Sequence, residues 1–212
     1  MRHRNIESNF DVLRVTALTV VLTLASVATS HAHHAMGGRM PATFVEGMLS
    51  GLGHPVIGLD HLAFIVAVGV AIGVAGLNLA IPALFIVASA VGVALHVRGV
   101  NLPGAELLVA LSVLIGGGLI AIGRLMRASA WATLFVVAGL VHGYAFGESI
   151  AGAEASPLAA YLVGLVIVQA AIATGVAFFA RRSSAAAVET RLAGAAIAGI
   201  GIAILSAQFI PV

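Results

Sequence analysis

The chain contains no cysteine and no lysine, and only 8% of its 212 residues are charged. Without cysteine there is no disulfide, thiolate nucleophile, iron–sulfur cluster or cysteine-type zinc site, so any metal must be held by histidine, carboxylate or thioether. Ordinary soluble domains carry about 25% charged residues. So few polar groups cannot cover a water-soluble surface, which excludes a soluble enzyme. Ten arginines against eight acids give a net charge of +2, and this excludes a nucleic-acid-binding surface. What is abundant is apolar. Hydrophobic residues make up 61% of the chain and the mean hydropathy is +1.14. Apolar stretches of about 20 residues recur along it, so most of the length belongs in a bilayer. Against that background the eight histidines stand out.

Arg2, Arg4 and Arg14 precede an apolar run over 15–27, and Ser30-His31-Ala32 puts small residues at the −3 and −1 positions of a cleavage site. This is the pattern of a secretory signal peptide over 1–32. The rival reading, a retained first membrane helix, needs about 20 apolar residues, and this run is shorter. Cleavage after Ala32 leaves a mature chain that begins His33-His34 outside the cytoplasm, where the two imidazoles either capture a divalent ion or form a solvated tail.

The remainder, 33–212, reads as a single transmembrane domain of the all-α class. It is a polytopic helix bundle with spans at 57–76, 79–97, 104–123, 131–147, 157–180 and 192–210. Arg124 and Arg127 follow the third span, and Arg181, Arg182 and Arg191 follow the fifth. Positive loops stay cytoplasmic, so the mature N-terminus, loops 98–103 and 148–156 and the C-terminus lie outside, with Arg39 and Arg98 on that side. Small-residue spacings such as Gly69 with Gly73 and Gly143 with Gly147 suit close helix packing in lipid. The polar stretch 183–189 is a linker and too short to be a domain.

An ionisable side chain within a span costs at least about 2.5–3.5 kcal/mol, so each needs a partner or a purpose. The candidates are His54, Asp60, His61, His96, Glu106, His142 and Glu148, all at outer ends of the first four spans. Together they suggest one polar cavity open to the outside. Imidazole and carboxylate without thiolate suit Ni²⁺, Co²⁺, Zn²⁺ or Mn²⁺. His54 and His61 would lie about 10.5 Å apart along a regular helix, too far for one ion. Gly51, Gly53, Pro55 and Gly58 around His54 favour a broken segment that folds it back toward Asp60 and His61. The structural alternatives are an N-cap role for His54 before Pro55, and a buried ion pair for Asp60 and His61. His142 and Glu148 would sit about 9 Å apart along a helix, so they serve at two depths. Glu106 is either a ligand or a first-turn carboxylate favoured by the helix dipole. His96, beside Arg98, is either a ligand or a solvated interfacial side chain. Glu46 lies in the stretch 41–52, too brief to span, and its role stays open. Met36, Met40 and Met48 read as apolar contacts, not copper ligands.

The stretches His54-Pro55-Val56-Ile57-Gly58-Leu59-Asp60-His61, Leu102-Pro103-Gly104-Ala105-Glu106 running into Leu111-Ser112-Val113-Leu114, and His142-Gly143-Tyr144-Ala145-Phe146-Gly147-Glu148 resemble the HupE/UreJ family over nearly the whole mature chain. The first is also similar to the His, four residues, Asp-His signature of the larger nickel/cobalt permeases, with one residue more. The departure, Leu62-Ala63-Phe64-Ile65 where a Leu- and Met-rich stretch is usual, leaves the ligand positions untouched. The resemblance implies a multi-pass protein of the bacterial inner membrane linked to nickel supply for hydrogenase and urease. It implies permeation of Ni²⁺, or of Co²⁺ by the same residues, through His54, Asp60, His61, Glu106, His142 and Glu148. The ion is cargo and no permanent cofactor is expected. The partners implied are the divalent ion, the lipid bilayer and the metalloenzyme maturation machinery. Two other functions compete with a permease. One is a membrane-embedded metalloenzyme, against which stands the lack of a His-Glu-x-x-His helix, so the chain is expected not to be an enzyme. The other is a non-transporting accessory protein that holds a metal.

Overall fold

The structure, a computed structural model, describes residues 39–124 and 126–209. The expected signal peptide, His33 and His34 lie outside the described residues. The described chain forms α1 (Phe44–Ile57), α2 (Leu59–Val74), α3 (Pro82–Val97), α4 (Ala105–Ala121), α5 (Ala128–Gly147), α6 (Ala155–Ala180) and α7 (Val188–Ala207). The six expected spans each overlap one helix from α2 to α7. Three helices, α5, α6 and α7, are long and apolar enough to cross a membrane by length and composition, and α1 with α2 makes a fourth crossing if the bent pair is one span. The apolar helices α3 and α4 are shorter, with 16 and 17 residues.

The largest difference from the sequence reading lies at the start of the first span. That reading begins the helix near residue 57 and puts His54 before it. Instead α1 begins much earlier, at a capping box. The Thr43 hydroxyl accepts from Glu46 N at 3.2 Å, and Glu46 Oε2 accepts from Thr43 N at 3.1 Å and Ala42 N at 2.8 Å. The open question of Glu46 is thereby answered: it closes a helix start. His54 is not an N-cap but sits in the last turn of α1, with Pro55 inside the helix. The chain breaks at Gly58, which is extended (φ −73°, ψ 104°), and α2 departs at 77° to α1. A Cβ on Gly58 would lie 2.6 Å from His61 Cδ2, so the break also needs glycine for room.

Backbone contact at small residues orders the helices. Gly47 meets Pro157 and Gly51 meets Tyr161, while Gly69 meets Ala173 and Gly73 meets Ala177. The broken pair α1 and α2 therefore follows the 26-residue α6 in the same chain direction, one piece on each half. Gly139 meets Phe85 and Gly143 meets Ser89, so α3 and α5 are parallel. Gly117 meets Ala198 and Gly201 meets Leu114, so α4 and α7 are antiparallel. The glycine pairs singled out in the sequence thus serve packing, as small residues do in lipid. Large apolar side chains such as Val87, Val137, Ile167 and Ile202 remain exposed on the outer faces.

The register gives the bundle two chemically different ends. At one, Arg181 Nη2 donates to Leu77 O (2.7 Å) and Arg191 Nε donates to Ala121 O (3.0 Å), satisfying carbonyls at or just beyond the ends of α2 and α4. The histidines and the remaining candidate carboxylates lie toward the other end. There Tyr144 ties down the preceding loop, donating to Val100 O (2.9 Å) and accepting from Leu102 N (3.1 Å).

Candidate functional site

Three helices bring His54, His61 and His142 together. His54 comes from the last turn of α1, His61 from the first turn of α2 and His142 from the last third of α5. They are buried, with relative exposures of 3%, 4% and 0%. The His61 ring lies 5.7 Å from that of His54 and 5.1 Å from that of His142, and it rests on Phe146 at 4.2 Å. Phe64 covers His142 at 4.8 Å. Asp60, nearly buried, accepts from His61 N at 2.8 Å, and its Oδ1 lies 3.9 Å from His61 Nε2. The break at Gly58 has the effect expected of it: residues seven apart in sequence become ring neighbours.

The hydrogen bonds chain the imidazoles to backbone carbonyls. Ser112 Oγ lies 2.7 Å from Val109 O and 2.8 Å from His142 Nε2. His142 Nδ1 lies 2.9 Å from His61 Nδ1, so the tautomers of the two rings are linked: where one nitrogen donates the other accepts. His61 Nε2 faces the Asp60 carboxylate. His54 is anchored in a similar way. Tyr161 donates to Phe146 O (2.8 Å), and Ser149 Oγ lies within reach of the same carbonyl (3.1 Å) and of the Tyr161 oxygen (3.2 Å). His54 Nδ1 lies 2.9 Å from Ser149 Oγ and 3.2 Å from the Tyr161 oxygen. Two networks anchored on backbone carbonyls thus hold the rings in place, as outer partners do for metal-ligating histidines.

Not all sequence candidates join this cluster. Glu106, in the first turn of α4, and Glu148, just beyond the end of α5, are exposed. His96 lies instead against Tyr144, ring to ring at 4.5 Å, and its Nδ1 is buried without a hydrogen-bond partner. Among the described residues no three His, Asp or Glu side chains converge, as they stand, on a point that would hold a metal ion. The cluster is closed on itself through the bond between His61 and His142. Ser112, Ser149 and Tyr161 were not read as site residues from the sequence. A serine inside an apolar span ordinarily satisfies itself on a nearby carbonyl of its own helix, as Ser112 also does, so its type and position carried no signal.

The fold and site define a helical membrane bundle with a buried, hydrogen-bonded imidazole cluster near one end. The chain belongs to the HupE/UreJ family: the model of the HupE / UreJ protein matches residues 19–204. It is 30% identical over 195 residues to Protein HupE of Rhizobium leguminosarum bv. viciae, covering 91% of this chain and 97% of that protein. No solved structure matches the chain.

Proposed function

We propose that the protein carries a divalent transition-metal ion, nickel first and cobalt by the same chemistry, across the bacterial inner membrane to supply the maturation of hydrogenase or urease. The observation that carries this reading is the meeting of His54, His61 and His142 from three helices beside Asp60 within a membrane bundle. A buried cluster of this kind is costly in lipid unless a cation uses it. Neutral imidazole suits borderline divalent ions, and one carboxylate offsets part of their charge. Metal–nitrogen and metal–oxygen bonds of about 2 Å each let an ion bridge His61 Nε2 and Asp60. His54 Nε2 then completes capture.

Onward movement follows from the hydrogen-bond chain. His142 has both nitrogens hydrogen-bonded, so it ligates only after its bond to His61 opens, and that exchange gates the step inward. Six crossings, with the arginine end in the cytoplasm by the positive-inside rule, put the histidines on the outer side. Glu106 and Glu148, exposed near that end, attract cations before entry. The chain acts as a carrier and not as an enzyme. Accumulation of radioactive nickel by an uptake-deficient host carrying only this protein tests the reading. Accumulation above the empty host supports it, and none with the protein present in the membrane overturns it.

A further inference from the structure

Beyond the histidine layer the buried polar groups among the described residues are few: Thr190 and the Trp131 Nε1, the latter without a hydrogen-bond partner, near the arginine end, and between the two ends Ser89 and Gln169, both at 0% exposure. Gln169 Nε2 donates to Ser89 Oγ at 3.1 Å and so ties α6 to α3. Gln169 Oε1 is buried with no hydrogen-bond partner. The register of α2 on α6, with Gly69 at Ala173 and Gly73 at Ala177, puts Gln169 level with Ile65, one turn past His61. Ser89 is in backbone contact with Gly143, the neighbour of His142. Gln169 also lies about 21 Å along α6, near the middle of a hydrocarbon core about 30 Å thick.

An amide oxygen left unsatisfied there is a cost that leucine or methionine would avoid. We propose that the Gln169 amide oxygen is a second station for the transported divalent cation, taking it from the histidine layer. The inference rests on the transport reading above and adds a site to it. A neutral oxygen holds such an ion less tightly than imidazole does, and conduction needs sites weak enough to leave. Its position one helical turn beyond His61, about 5.4 Å, is a single step for an ion that keeps part of its water shell.

Two variants separate the oxygen from the hydrogen bond. Gln169→Leu and Ser89→Ala both lose the bond between α6 and α3, and only the first loses the oxygen. Uptake of radioactive nickel by cells is measured beside nickel binding and thermal unfolding of the purified full-length protein. Gln169→Leu is expected to lower uptake by about tenfold or more, with nickel affinity and unfolding temperature unchanged, and Ser89→Ala by no more than about threefold. Uptake by Gln169→Leu within about twofold of wild type, equal losses in both variants, or a loss that follows reduced thermal stability would overturn the station. A wild-type protein that accumulates no nickel overturns the transport reading and this inference together. Wild-type uptake with an unimpaired Gln169→Leu overturns only the inference.

Discussion

Replacing Ser112 by alanine tests the hydrogen-bond chain without touching a proposed ligand. Ser112 Oγ lies 2.8 Å from His142 Nε2, and both residues are buried. Its removal leaves that nitrogen without its partner at a cost of about 1–3 kcal/mol. The His142 ring then loses its anchor, and through its bond to His61 Nδ1 so does the proposed ligand beside Asp60. Loss of that orientation weakens nickel binding by the same amount, about 5- to 150-fold. Ser112→Thr keeps the hydroxyl and should bind as wild type. Isothermal titration of nickel into purified protein gives the affinity, uptake curves should show a raised KM at unchanged maximal rate, and nitrogen NMR of labelled histidine reports the tautomer. Unchanged nickel affinity in Ser112→Ala, or equal impairment of the alanine and threonine variants, would refute the reasoning.

His61→Ala and Asp60→Asn should each abolish uptake with normal amounts of protein in the membrane, since each removes a ligand or its compensating charge; immunoblots beside nickel counts decide this, and normal uptake by both ends the assignment. Gly58→Ala puts a Cβ 2.6 Å from the His61 ring and should displace it, lowering nickel affinity by about tenfold with little change in unfolding temperature. Gly143→Ala drives its Cβ into Ser89 O, forces the backbones of α3 and α5 apart and should cost about 1–3 kcal/mol, read as a lowered unfolding temperature in detergent. A reporter active only outside the cytoplasm, fused after Val212, should be active, and a cytoplasmic C-terminus would reverse the proposed orientation.

The helical bundle was legible because apolar runs separated by turns and arginines are a composition signal that packing in lipid does not override. The paired glycines were legible for the same reason: only small residues allow backbones to touch. The meeting of His54 with His61 could be foreseen from the Gly and Pro residues around it, since a break is the only way to bring residues seven apart onto one site. The helix before that break was missed, because α1 is short and its start is set by a capping box at Thr43 and Glu46 that reads as loop sequence next to longer apolar runs. Glu106, Glu148 and His96 shared an end with the cluster but not its interior, and an end is all that helix boundaries reveal. Which side chain turns inward depends on helix rotation, and spans apolar on all sides give no face to read it from. The serine and tyrosine hydroxyls escaped notice because their role lies in partners from other helices.

The central claim is that this chain alone moves the ion, by way of the buried imidazoles. Purified protein reconstituted into sealed liposomes, with radioactive nickel outside and a chelator inside, tests it most directly. The account predicts accumulation that saturates with nickel, is competed by cobalt, and falls to the level of empty liposomes in His61→Ala. Wild-type vesicles that bind nickel but trap no more than empty ones, or His61→Ala vesicles that fill as fast as wild type, would contradict it.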